Sequence, residues 1–141
     1  MLQALKVRIH DHEKLERVLL EHGGTFIKEN QFIDTCFNVT KGNATLLRFA
    51  EKNGKFDVVS RDSIADLEDT RKELTEKYGV NKILKGARKE FTYKDFAITF
   101  NIIDDVGEFL IITSDGSQEV LLKEIFQIHN PEYITVPFNE L

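Results

Sequence analysis

From Leu2 to Ile9 the chain alternates so that Leu5, Val7 and Ile9 fall on one face of a strand and Lys6 and Arg8 on the other, with no carboxylate beside the two cations. Asp11 is then placed to cap a helix carrying Leu15, Val18 and Leu19 on one stripe, and Gly23-Gly24 stops it. Strand-like segments follow at Gln31 to Val39, Thr45 to Glu51 and Lys55 to Arg61, with turns at Lys41-Gly42-Asn43 and Lys52-Asn53-Gly54. A helical pattern from Ala65 to Tyr78, with Ser63 as cap and Gly79 as stop, interrupts them. Strands resume at Ala87 to Tyr93, Phe96 to Ile103 and Glu108 to Thr113, separated by turns at Lys94-Asp95 and Asp104-Asp105.

In the middle strand of that last trio, Phe96, Ile98, Phe100 and Ile102 share one face, while Ala97, Thr99 and Asn101 share the other. The apolar face suits packing on helices, which leaves the small and polar face for water or an interior channel. A last helix, Ser117 to His129, is expected to bury Val120, Leu121, Ile125 and Phe126 and to end before Pro131. The tail from Tyr133 to Leu141 is expected to dock on the body. With no repeat, linker or low-complexity stretch, the pattern predicts one α+β domain over residues 1–141.

Composition narrows the function classes. A chain of 141 residues with 41% hydrophobic and 30% charged positions has the content of an ordinary globular domain. Its aromatics are 11 Phe and 3 Tyr with no Trp. A net charge of -5 argues against a general grip on nucleic acid, which needs a surplus of Lys and Arg on one face. Cys36 is the only cysteine, so neither a disulfide framework nor a thiolate metal cluster is available. No apolar run reaches bilayer length and no signal-peptide pattern opens the chain, so a cytoplasmic location without membrane partners is expected. The acidic residues around Asp66 and Asp104 fit helix starts and turns. His10, His12 and His22 straddle a strand-to-helix junction and do not share a metal-binding face.

The order of these segments resembles the CYTH family, the triphosphate-tunnel fold of class IV adenylyl cyclases, thiamine triphosphatases and inorganic tripolyphosphatases. LKVRIHDHEKLERVLLEHGGTF is similar to the family's first strand and helix, and QFIDTCFN to its second strand, where an aromatic is usual at Cys36. LLRFAEKNGKFDVVSR resembles the hairpin with an arginine-rich strand. RKEF, DFAITFNIIDDVGEF and VPFNEL resemble the closing strands and tail. The resemblance implies an antiparallel β-barrel with helices packed outside, its inner wall lined by cations for phosphates and carboxylates for divalent metal. It assigns phosphate-binding roles to Lys6, at the lysine of the opening ExExK motif, to Arg8, and to Arg48, Arg61 and Arg88.

Several positions depart from that pattern. Leu2, Ala4, Asn101, Ile111 and Thr113 stand where the family has its metal-binding carboxylates, and Ala50 and Gly86 where further cations are common. After Arg61 the chain passes through Asp62-Ser63 almost directly into a helix, so the barrel is expected to be open or short of one strand. The expected function is therefore binding of a small phosphate-bearing anion, with metal-dependent catalysis lost, no cofactor and no assigned catalytic residue. An active cyclase or triphosphate hydrolase using Mg²⁺ or Mn²⁺ is the alternative. A third reading is a non-catalytic protein-interaction module, since residual strand edges allow a homodimer.

Overall fold

The computed structural model describes residues 2–37, 40–41, 44–45, 48–52, 55–59, 76, 80–136 and 138, with side chains described for 2–33, 76, 83–136 and 138. The chain divides into two compact units, residues 1–29 with 87–136 and residues 30–86 with 137–141. The elements are β1 (Gln3–Ile9), α1 (His12–Glu21), β2 (Thr25–Phe37), β3 (Thr40–Lys41), β4 (Ala44–Thr45), β5 (Arg48–Lys52), β6 (Lys55–Val59), β7 (Val80–Tyr93), β8 (Phe96–Ile103), β9 (Gly107–Ser114), α2 (Gln118–Glu124) and β10 (Glu132–Tyr133).

In the first unit the strands are hydrogen-bonded in the order β10-β1-β9-β8-β7-β2. The β1, β8, β9 and β10 pairings are antiparallel. Their register stacks the apolar positions of one face into rows: Val7 opposite Leu110 opposite Phe100, and Leu5 opposite Ile112 opposite Ile98. Both described helices cover that face, through Leu19 of α1 and through Leu121 and Leu122 of α2 with Phe126 beyond its end. The phenylalanine supply is used here. Phe26, Phe91, Phe100 and Phe126 meet edge to face at centroid distances of 5.3, 5.5 and 6.3 Å along the series. The α+β class expected from the sequence, an antiparallel sheet with helices packed on its outer face, is the one observed.

Helix α1 begins as its sequence dictates. The Asp11 side chain accepts from the Lys14 backbone N–H at 3.2 Å. At the other end the Gly24 N–H donates to Leu19 O at 2.9 Å, and a Cβ on Gly24 would meet Leu19 Cγ at 2.7 Å, so the helix can end against its own leucine only with glycine there. A polar network fastens α1 to the sheet. The His12 backbone N–H donates to Glu108 Oε1 at 2.9 Å, the His12 ring meets Glu16 Oε2 at 2.5 Å, and Lys89 Nζ lies 3.2 Å from Glu16 Oε1. The buried Glu16 carboxylate thus has two partners, which offsets its loss of water.

Three expectations need correction. Helix α2 runs over Gln118–Glu124, not to His129, because the chain leaves the helix and takes a left-handed φ of 54° at Gln127. Its buried stripe is Leu121 and Leu122, and Val120 points outward. Strands β2 and β7 both start earlier than expected, at Thr25 and Val80.

In the second unit β5 pairs with β2 and with β6, in the registers Cys36 with Arg48 and Arg48 with Val59. The pairs Lys41 with Ala44 and Lys52 with Lys55 close hairpins over the two expected turns. The expected helix from Ala65 to Tyr78 with its cap and stop lies outside the described residues, apart from Glu76, which is helical.

Candidate functional site

The sheet face of the first unit opposite the helices carries the cations of the opening strand. Register places Arg8 directly opposite Phe109, and Phe109 directly opposite Asn101. The two-residue turn between Tyr93 and Phe96 brings Arg88 across from Asn101. Arg88 Nε donates to Asn101 Oδ1 at 3.0 Å. Arg8, Phe109, Asn101 and Arg88 therefore form one row across four strands. At about 4.8 Å per strand, the two arginine Cα atoms stand roughly 14 Å apart, a span two arginine side chains can close on a ligand between them. One row along, Lys6 lies opposite Ile111, and Ile111 opposite Thr99.

Each cation has a distinct setting. The Arg8 guanidinium stacks over the Phe109 ring at 4.9 Å, donates from Nη1 to Val106 O at 3.1 Å, and lies 3.3 Å from Glu132 Oε2 through Nε. Gly107, at φ 143°, makes room for it, because a Cβ there would come within 2.5 Å of Arg8 Nη1. These contacts aim a fork of five donors while engaging only some of them. Lys6 Nζ donates to Val136 O at 3.5 Å. Burial pushes its ammonium below the ordinary value of 10.5. Glu90, also on β7, is held by Lys28 at 3.4 Å.

The Lys6 setting has a consequence for stability. Because the folded state holds the proton less tightly than the unfolded chain, stability rises with pH between the lowered value and 10.5, and at neutral pH the partial desolvation of this half-exposed ammonium opposes folding weakly. Lys6→Met keeps the apolar stem and removes the charge. Its melting temperature in anion-free buffer should exceed that of the wild type at neutral pH, with the gain shrinking as pH approaches 10.5. Differential scanning calorimetry at the two pH values checks this, and a lower melting temperature for the variant at neutral pH contradicts it.

The two central residues of the row are buried. Asn101 is 1% exposed, and its Nδ2 has no hydrogen-bond partner. Phe109 beside it is 0% exposed, although it lies on the face opposite the helices. Of the sequence-derived residues, Lys6, Arg8 and Arg88 thus share one sheet face. Arg48 lies on β5 in the second unit, its side chain outside the described residues, and Arg61 is outside them altogether. Sequence reasoning missed Phe109 and Glu132 as neighbours of Arg8. The unbroken apolar run from Phe109 to Ile112 signals a strand buried on both faces and could have pointed to Phe109.

A divalent metal, which the CYTH resemblance implies, does not fit these residues. Asn101 Oδ1, the one amide oxygen among the five substituted positions, already accepts from the Arg88 guanidinium. A hard cation there would face an arginine and an NH₂ group. Among the described residues no group of three or more His, Cys, Asp or Glu side chains is placed to hold a metal ion. Nor, among them, is any helix long and apolar enough to cross a membrane.

No protein-family profile and no curated protein matches the chain. Solved structures do. A protein from Pyrococcus horikoshii superposes with a TM-score of 0.77 at 16% identity, covering 100% of this chain and 99% of its own. A conserved hypothetical protein from Pyrococcus furiosus gives 0.76 at 14% identity, with the same coverage of 100% and 99%. A candidate adenylate cyclase from Vibrio parahaemolyticus gives 0.63 at 16% identity, covering 99% of this chain and 95% of its own. At such identities the likeness establishes the fold alone.

Proposed function

We propose that this CYTH-like chain binds a small phosphate-bearing anion, such as a triphosphate, on the first unit's sheet face, and that metal-dependent catalysis has been lost. One observation carries the reading: the row Arg8, Phe109, Asn101, Arg88, in which two guanidinium groups flank a buried amide donor on one face. Guanidinium forks match the paired oxygens of a phosphoryl group, and Lys6 one row along adds a point charge. An anion would relieve the Lys6 ammonium of its burial penalty, so binding and stability are coupled.

Thermal unfolding with added tripolyphosphate, ATP or thiamine triphosphate tests the proposal. The melting temperature should rise with ligand concentration for at least one of them, while sodium chloride at matched ionic strength leaves it unchanged. Phosphate and cyclic nucleotide release with Mg²⁺ or Mn²⁺ should stay at background. Turnover above background would favour the enzyme reading, and flat melting curves with all three ligands would exclude the binding reading.

A further inference from the structure

Resting on the anion-binding reading, we infer that Asn101 is the contact that determines which form of the anion is taken: its Nδ2 donates to an oxygen of the bound ligand, so the site selects the metal-free anion over its magnesium complex. The orientation of the amide is fixed from one side. Arg88 Nε can only donate, so the atom facing it at 3.0 Å is the acceptor Oδ1, and the NH₂ group must be Nδ2. That NH₂ group is buried and has no partner within the protein. An unsatisfied buried donor costs about 1–3 kcal/mol, so a fold that retains one has a use for an acceptor there.

The surroundings decide what kind of acceptor fits. Within the row Asn101 is flanked by the Arg88 guanidinium on one side and the Phe109 ring on the other, and Arg8 stacks on that ring. Among the described residues, the Glu132 carboxylate is engaged by Arg8, and Glu90 on β7 lies 3.4 Å from Lys28. A neutral ligand oxygen would satisfy the amide alone, without drawing on the guanidinium forks on either side of the row. An anionic oxygen satisfies both. A magnesium complex would bring a cation, with its hydration shell, against two guanidinium groups and an amide N–H, and among the described residues no group of three or more His, Cys, Asp or Glu side chains is placed to hold it.

Asn101→Asp tests this, because it keeps the side-chain shape and the acceptor for Arg88 while replacing the free donor by a second carboxylate oxygen. Tripolyphosphate binding is measured by titration calorimetry for both proteins, once with EDTA and once with excess Mg²⁺, after circular dichroism has shown the variant folded. The wild type should bind in EDTA and bind more weakly in Mg²⁺, which sequesters the free anion. In EDTA the variant should bind at least about tenfold more weakly than the wild type, the loss expected for one hydrogen bond to a charged group. An Asn101→Ser variant, which restores a donor, serves where Asn101→Asp fails to fold, and it should also bind in EDTA. Wild-type binding that requires or is tightened by Mg²⁺, or a variant that binds in EDTA as well as the wild type, overturns the role of Asn101 while leaving anion binding intact. No wild-type binding under either condition overturns the parent reading as well.

Discussion

Replacing Arg88 by alanine should weaken tripolyphosphate binding by about ten- to a hundredfold, the loss expected for charge-assisted hydrogen bonds worth about 1.5–3 kcal/mol. It should also destabilise the free protein. Asn101 is buried, and Arg88 Nε is the donor that satisfies its Oδ1. With the guanidinium gone, both ends of a buried amide lack partners, at a cost of about 1–3 kcal/mol. Arg88→Lys separates the two effects: it retains the charge but loses the planar fork, so its affinity should fall between those of the wild type and Arg88→Ala. Titration calorimetry and urea unfolding read the two quantities. Full affinity in Arg88→Ala would remove this residue from the site.

The largest effect on stability alone is expected at Phe100. It is 0% exposed, it meets Phe91 and Phe126 edge to face, and it stands opposite Leu110 at the centre of the helix-covered sheet face. Phe100→Ala should cost about 3–5 kcal/mol, the transfer and cavity terms together. Against a typical total of about 5–15 kcal/mol, that leaves a markedly destabilised protein. Leu20→Ala, on the outward side of α1 at 48% exposure, should change stability by no more than about 0.5 kcal/mol. Urea unfolding followed by circular dichroism compares them, and similar midpoints for the two variants would contradict the assigned core.

The elements of the first unit were legible where a local signal and a tertiary demand coincide. Strand β1 is readable because one face is buried and the other carries cations, so its period of two survives intact. Helix α1 is readable because Asp11 supplies a cap bond and Gly23-Gly24 supplies the stop. The end of α2 was not readable, since nothing local forbids Ile125 to His129 from continuing the helix. There the left-handed turn at Gln127 and the burial of Phe126 against Phe100 redirect the chain. Register explains why part of the site was legible and part was not. Alternation alone put Lys6 and Arg8 on one face and Asn101 on the polar side of β8. It could not show that Arg8 lies opposite Phe109, that Glu132 on β10 faces the same guanidinium, or which way the Asn101 amide turns. Those facts depend on strands distant in sequence. The absence of carboxylates was visible from the resemblance, but its chemical meaning came from the Arg88 bond that takes up the one remaining amide oxygen.

The most direct measurement is a calorimetric titration of tripolyphosphate into the wild-type protein in EDTA, at low and at high sodium chloride. If Lys6, Arg8 and Arg88 hold an anion by direct charge-assisted contacts, the heat should saturate at a defined stoichiometry and the affinity should fall as salt screens the charges. A titration with no saturable heat at low salt, or with an affinity indifferent to salt, would contradict the account.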